Sequence, residues 1–365
     1  MTVASAAMTL DRVQLGWRGQ MVTVVLSAWA LLGAFLDGWA HSKVDQIETF
    51  FTPQHNVFYS GFLAMAIWVV WCVVGQRRAG RSARAAVPIG YDLALIGLVV
   101  FGAGTVFDFL WHEVFGVEQA GERLSSPAHL ALFVGGILVI TAPFRAAWAA
   151  AGTERPAPSL VEFLPALLSL TLATTATSFF FLHVWGFNSA DFLGARQLES
   201  LLQPVAGLPE TARTLQALTQ IRVFASIVIT TLLLLGPVLV MLRQWRIPFG
   251  GITILLTTTV VWMSGLTEFH VPEVIGVVAL AGLLADGLAA LLQPAVDRPA
   301  AFRGFAAAVP VILWSLYFIV TDWRWHLAVS PELWGGGLFF TGIAGFALSL
   351  VMVPDGARAR VARGL

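Results

Sequence analysis

Apolar residues run along this chain in blocks of about twenty, and short stretches rich in charge, histidine, proline and glycine break them. A helix of about 20 apolar residues crosses a hydrocarbon core of roughly 30 Å. The blocks predict ten spans, near 20–40, 54–75, 89–111, 128–150, 160–183, 218–242, 248–269, 272–293, 303–325 and 331–353. Paired in order, they make five hairpins. The predicted fold is an all-α polytopic transmembrane bundle. Residues 1–150 form the first two hairpins and residues 151–365 carry the rest of the same membrane domain. Residues 184–217 leave room for a small lid or surface helix.

The breaks carry the chemistry. Asp37–His55 reads DGWAHSKVDQIETFFTPQH, and Asp108–His129 reads DFLWHEVFGVEQAGERLSSPAH. Each has Asp-x3-His, an acid seven residues before a second His (Glu48, Glu122), and a closing Pro-x-His preceded by Thr52 or Ser126. Residues four apart share a helix face, so Asp37 lies with His41 and Asp108 with His112. Pro53 and Pro127 suit a first helical turn, with Thr52 and Ser126 as N-caps. His55 and His129 then sit across from the end of the preceding helix. Two imidazoles and a carboxylate per hairpin make a metal-ligand set, which by ligand type suits copper, iron or zinc. Glu48, Glu122, Asp45 and Glu118 are candidates to hold the rings from behind, and Glu48 or Glu122 to act as a general base if the ion is zinc and the reaction hydrolytic.

Other signals are weaker. Asp322 and His326 repeat Asp-x3-His without a second His, and EFHVPE (Glu268–Glu273) sets His270 near Glu273. These four, His270, Glu273, Asp322 and His326, are candidates for a second cluster or for completing the first. Pro-Glu at 209–210, 272–273 and 331–332 also suits a helix start electrostatically. His183, beside Trp185, reads as structural. Trp39, Trp111, Trp185, Trp323, Trp325 and Trp334 read as an aromatic belt. Asp92 and Asp286, inside apolar blocks, are expected to pair within the bundle.

Composition sharpens the class. The chain is 58% hydrophobic and 12% charged, far from a soluble balance. A formal net charge of zero argues against nucleic acid. One cysteine, Cys72, excludes a disulfide framework. No short apolar region with a cleavage site opens the chain, so no removable signal peptide is expected. Arg12, Arg18, QRRAGRSAR at 76–84, Arg145, Arg155, Arg243, Arg246, Arg298, Arg303 and the tail RARVAR fall on one side. By the positive-inside rule that side is cytoplasmic, with both termini in, as expected of a bacterial inner-membrane protein. All seven histidines then fall at the outer, periplasmic ends of spans.

These residues resemble the C subunit of the copper membrane monooxygenases, the particulate methane and ammonia monooxygenase family, over about residues 20–150. That subunit carries an Asp-x3-His followed by Phe-Thr-Pro-x-His, matched here by Asp37, His41 and FTPQH ending in His55. It also carries an Asn-x3-His followed by an acidic run and Ala-Pro-x-His. Asp108, His112 and SPAH ending in His129 match this, with Asp in place of Asn and a longer interval between the histidines. The resemblance implies two neighbouring copper sites near the outer face, oxygen activation, other subunits and an external electron donor. Copper capture or delivery without turnover, and a zinc-dependent membrane hydrolase, are the alternative expectations.

Overall fold

The computed structural model describes residues 12–43, 52–116, 124–152, 155–189 and 195–354. Among these, regular structure is helical and no strand forms. The helices are α1 (Trp17–Lys43), α2 (Pro53–Arg78), α3 (Asp92–Phe115), α4 (Pro127–Ile140), α5 (Ala142–Ala151), α6 (Leu160–Phe180), α7 (Ala195–Leu202), α8 (Pro209–Gln244), α9 (Gly251–Gly265), α10 (Glu273–Leu292), α11 (Pro299–Trp325) and α12 (Pro331–Met352).

Eight of them are long and apolar enough to cross a membrane; α4 and α5, bent by 40°, make a ninth if taken as one span. The bend follows from Pro143, which has no amide to donate to the turn below it. Helix α9 has 15 residues, about 22 Å of rise, less than a bilayer core. Large apolar side chains such as Val99, Val114, Trp71 and Ile319 stand exposed. That is unfavourable in water and natural against lipid. The chain is a helical membrane protein.

The chain divides into two compact units. The first holds Met1–Arg155, Ser159–Phe180 and Gly265–Glu268. Its core gathers Met65, Val69, Tyr91, Ala94, Val139, Ala142 and Ala146. At that core the Tyr91 hydroxyl bonds Gln20 and Thr23, and the Trp68 indole donates to Thr23, so these buried polar groups are satisfied. Pro165 cannot bond the carbonyl of Val161 four residues earlier, and Trp17 donates its indole N–H to that oxygen at 2.8 Å.

Two hairpins dominate the first unit, α1 with α2 and α3 with α4, and each closes on glycines. A Cβ on Gly33 would overlap the backbone of Phe58, and one on Gly61 would lie 2.6 Å from the Ala30 nitrogen. In the second hairpin, Gly104 faces the Leu132 nitrogen and Gly135 faces the Phe101 nitrogen. These are equivalent positions. Gly33 and Gly104 each precede the motif Asp by four residues, and Gly61 and Gly135 each follow the second His by six. Small residues let helix backbones touch where lipid supplies no hydrophobic drive for helices to associate.

The second unit holds Pro156–Pro158, Phe181–Ser264 and Phe269–Leu365. Trp185, expected in an interfacial belt, is instead buried with Phe187, Trp314 and Tyr317. Its 3-10 segment is tied by the Gly186 amide to the Thr230 hydroxyl, and His183 offers its carbonyl to Arg222. The expected loop at 184–217 is shorter than predicted, because α8 begins at Pro209 with Glu210 in its first turn. Asp92 and Asp286, expected to pair within the bundle, each find their own partners. Asp92 is half exposed and pairs with Arg12 at 2.8 Å. Asp286 is buried and caps α9, accepting from the Ile252 and Thr253 amides and the Thr253 hydroxyl. An acid in an apolar helix found a second helix's open N–H groups.

Candidate metal centre

Helices α1 and α3 end in the two Asp-x3-His pairs; α2 and α4 begin with the two Pro-x-His turns. Thr52 and Ser126 are N-caps in extended conformation, and their hydroxyls accept from the amides of His55 and His129. This fixes the first turn, with proline where no donor is needed, and turns the third residue back toward the preceding helix. Each hairpin thereby brings three ligands together. Asp37, His41 and His55 form one group, and Asp108, His112 and His129 form the other, with all ligand atoms of a group within 4.8 Å of one another.

The edges of the two groups are nearly the same. His41 Nε2 lies 3.7 Å from Asp37 Oδ2, and His55 Nε2 lies 3.4 Å from Oδ1. In the other, His112 and His129 Nε2 lie 3.6 and 3.5 Å from Asp108 Oδ1. The imidazole centroids stand 6.0 Å apart at 68° in the first and 6.2 Å at 71° in the second. These separations exceed ordinary N–H···O distances. They match the edges of a coordination shell: ligands about 2.05 Å from one ion, at trigonal to tetrahedral angles, stand roughly 3.3–3.6 Å apart. Both groups have the donor chemistry and spacing to hold a metal ion.

Burial favours the same use. The Asp108 side chain is 1% exposed and those of His112 and His55 are 8% and 6%. A carboxylate out of water needs a cation or strong donors. Ser126 Oγ lies 2.7 Å from His129 Nδ1. With Nε2 on a metal, Nδ1 carries the proton and donates to that hydroxyl, which fixes tautomer and ring orientation.

One further side chain belongs here. Tyr59, one turn after His55, donates its hydroxyl to Asp108 Oδ2 at 2.8 Å, and its ring stacks on His55 at 5.9 Å. It touches a ligand of each group. The sequence signal was available, since Tyr59 follows the second His by four residues and its counterpart Phe133 lacks the hydroxyl. The crossing glycines were legible by the same alignment of the two copies.

Asp45, Glu48, Glu118 and Glu122 lie outside the described residues. The weaker candidates stand in the second unit. Arg324 pairs with Glu273 at 3.3 Å. Asp322 accepts from the Leu327 amide, and His326 caps α11 with φ of 55°. His270 follows α9 in the chain. Among the described residues, the two groups able to hold a metal are the Asp37 and Asp108 groups. Beside the first, Glu268 accepts from the Trp39 indole at 3.0 Å and pairs with Lys43 at 3.4 Å. The Trp39 hydrogen bond, and then Lys43, hold its carboxyl below the usual range.

Compared with known proteins, the chain matches no family model, no curated protein and no solved structure.

Proposed function

We propose that this chain is a bacterial inner-membrane metal protein whose first four helices hold a pair of copper ions at the periplasmic face. The observation that carries the reading is the repeated geometry: two Asp-His-His groups, each partly buried, whose ligand edges, 3.4–3.7 Å, suit one ion each. Copper is preferred over iron or zinc because the motif order, spacing and proline placement resemble those of the copper membrane monooxygenases. The arginine distribution puts the histidine ends of the spans outside.

Bound copper would supply redox chemistry toward oxygen, as the resemblance implies. The residues named here would bind and orient it and keep water away. A small apolar substrate would arrive through the bilayer, past the lipid-facing side chains of α3. Electrons would come from an external donor or partner subunit.

Metal content of detergent-purified protein tests the reading, with wild type beside His41→Ala and His112→Ala. Two copper ions in the wild type and one in each variant support it. Zinc in their place moves the assignment to a hydrolase. A wild type that takes up no metal after reconstitution overturns it.

A further inference from the structure

The two groups share a plan but present their carboxylates differently. In the first, each oxygen of Asp37 faces an imidazole, Oδ1 toward His55 and Oδ2 toward His41. In the second, both imidazoles face Oδ1 of Asp108, while Oδ2 accepts the Tyr59 hydroxyl at 2.8 Å. The hydroxyl comes from the other hairpin, from the helix that supplies His55 to the first group. The equivalent position in the second hairpin is Phe133, whose ring stacks on Phe180 at 4.5 Å.

We propose that Tyr59 is a positioning residue that makes the two metal sites unequal. It holds one oxygen of Asp108, so that the carboxylate offers a single fixed oxygen to the ion between His112 and His129. This rests on the metal reading above. The chemistry is that of hydrogen bonds behind a metal ligand. A carboxylate with one oxygen held by a donor is restrained from rotating to chelate, and its remaining oxygen is already aimed. The carboxylate of Asp108 is also the more buried of the two, 1% against 17% exposed, so in a drier setting the bond restrains it more strongly. The second site is thereby the better organised, while Asp37 keeps the freedom to bind through either or both oxygens. The Tyr59 ring, resting on His55, makes one side chain common to both sites.

Tyr59→Phe keeps the ring and removes only the hydroxyl. It is made in two backgrounds, His41→Ala, which leaves the second site complete, and His112→Ala, which leaves the first. Each protein is titrated with copper(II) against a competing chelator, and its electron paramagnetic resonance spectrum is recorded. Loss of the hydroxyl is expected to weaken copper at the second site about 10- to 100-fold and to change its hyperfine splitting. Affinity at the first site should stay within about twofold. Equal weakening at both sites marks a general packing role and overturns the proposal, as does no change at either. If the wild type binds no copper at all, the metal reading fails and this inference falls with it. Copper binding in the wild type with an unresponsive Tyr59→Phe sinks the positioning role alone.

Discussion

The two hairpins of the first unit repeat one motif and one crossing geometry, and the side chains in which their sites differ are instructive. Backbone contacts agree position by position: Gly33 on Phe58 corresponds to Gly104 on Leu132, and Gly61 on Ala30 to Gly135 on Phe101. Ligand edges agree within a few tenths of an ångström. The differences lie behind the ligands. Ser126 reaches the ring of His129, Tyr59 reaches Asp108, and Glu268 ties down Trp39 between Asp37 and His41. A duplicated scaffold can thus keep two sites in the same shape while giving each its own hydrogen bonds.

The comparison breaks most severely at the ligands. His55→Ala and His129→Ala should each abolish one site and spare the other, lowering bound metal from two ions to one by elemental analysis. If either variant loses both ions, the sites form one unit and the hairpins are not independent. Metal also feeds back on stability. Free ion at about a hundred times its dissociation constant should stabilise the fold by about 2.7 kcal/mol per site, and each variant should show half the wild-type gain.

Next come the crossings. Gly33→Ala places a methyl group inside the Phe58 backbone, whereas at Gly104 the nearest atoms stand 3.2 Å away. Overpacking of the first kind costs about 1–3 kcal/mol, and Gly104→Ala should cost well under half as much. Equilibrium unfolding in mixed detergent with SDS measures both. Equal costs would show that the first hairpin relaxes as readily as the second.

Ser126→Ala removes an N-cap and the partner of His129 Nδ1 together. It should lower stability by about 1 kcal/mol and metal affinity at the second site about tenfold, read by chelator competition in the His41→Ala background. A stability loss with unchanged affinity would leave Ser126 as a cap alone.

The smallest effect concerns Glu268. Its carboxyl is held below the ordinary range by Trp39 and Lys43, so the tie to α1 is complete above that range. It is lost as pH falls through the lowered value. The fluorescence difference between wild type and Trp39→Phe should therefore be flat from neutral pH downward and change only in acid, a change that Glu268→Gln removes. A change near neutral pH would point to a histidine instead.

Much of this was legible in the chain. Asp-x3-His repeats at helical spacing, and proline after a hydroxyl residue marks a helix start, so both ligand triplets could be written down from local rules. What escaped depends on partners far away in sequence. Asp286 looked like a charge in need of a countercharge and proved to be a cap for α9, 33 or 34 residues earlier. Trp185 looked interfacial because it follows an apolar block, yet the 3-10 segment folds it inward against Trp314 and Tyr317 through Phe187. Tyr59 escapes local rules because an isolated tyrosine in an apolar helix has no periodic signature; only the phenylalanine at its counterpart, Phe133, distinguishes it.

The crossing glycines sit near the ligands on their helices. Each motif aspartate lies four residues from one and each second histidine six, lever arms of about 6 and 9 Å along the helix axis. A tilt of about 5° around such a pivot shifts the far ligand by only about 0.8 Å. The same tilt would move the far end of α1 at Trp17, about 24 Å from Gly33 by helix rise, by about 2 Å. Were helix tilt to change about these crossings as the surrounding bilayer thins or thickens, the ligands, on the short arm, would move less than the far ends of the same helices.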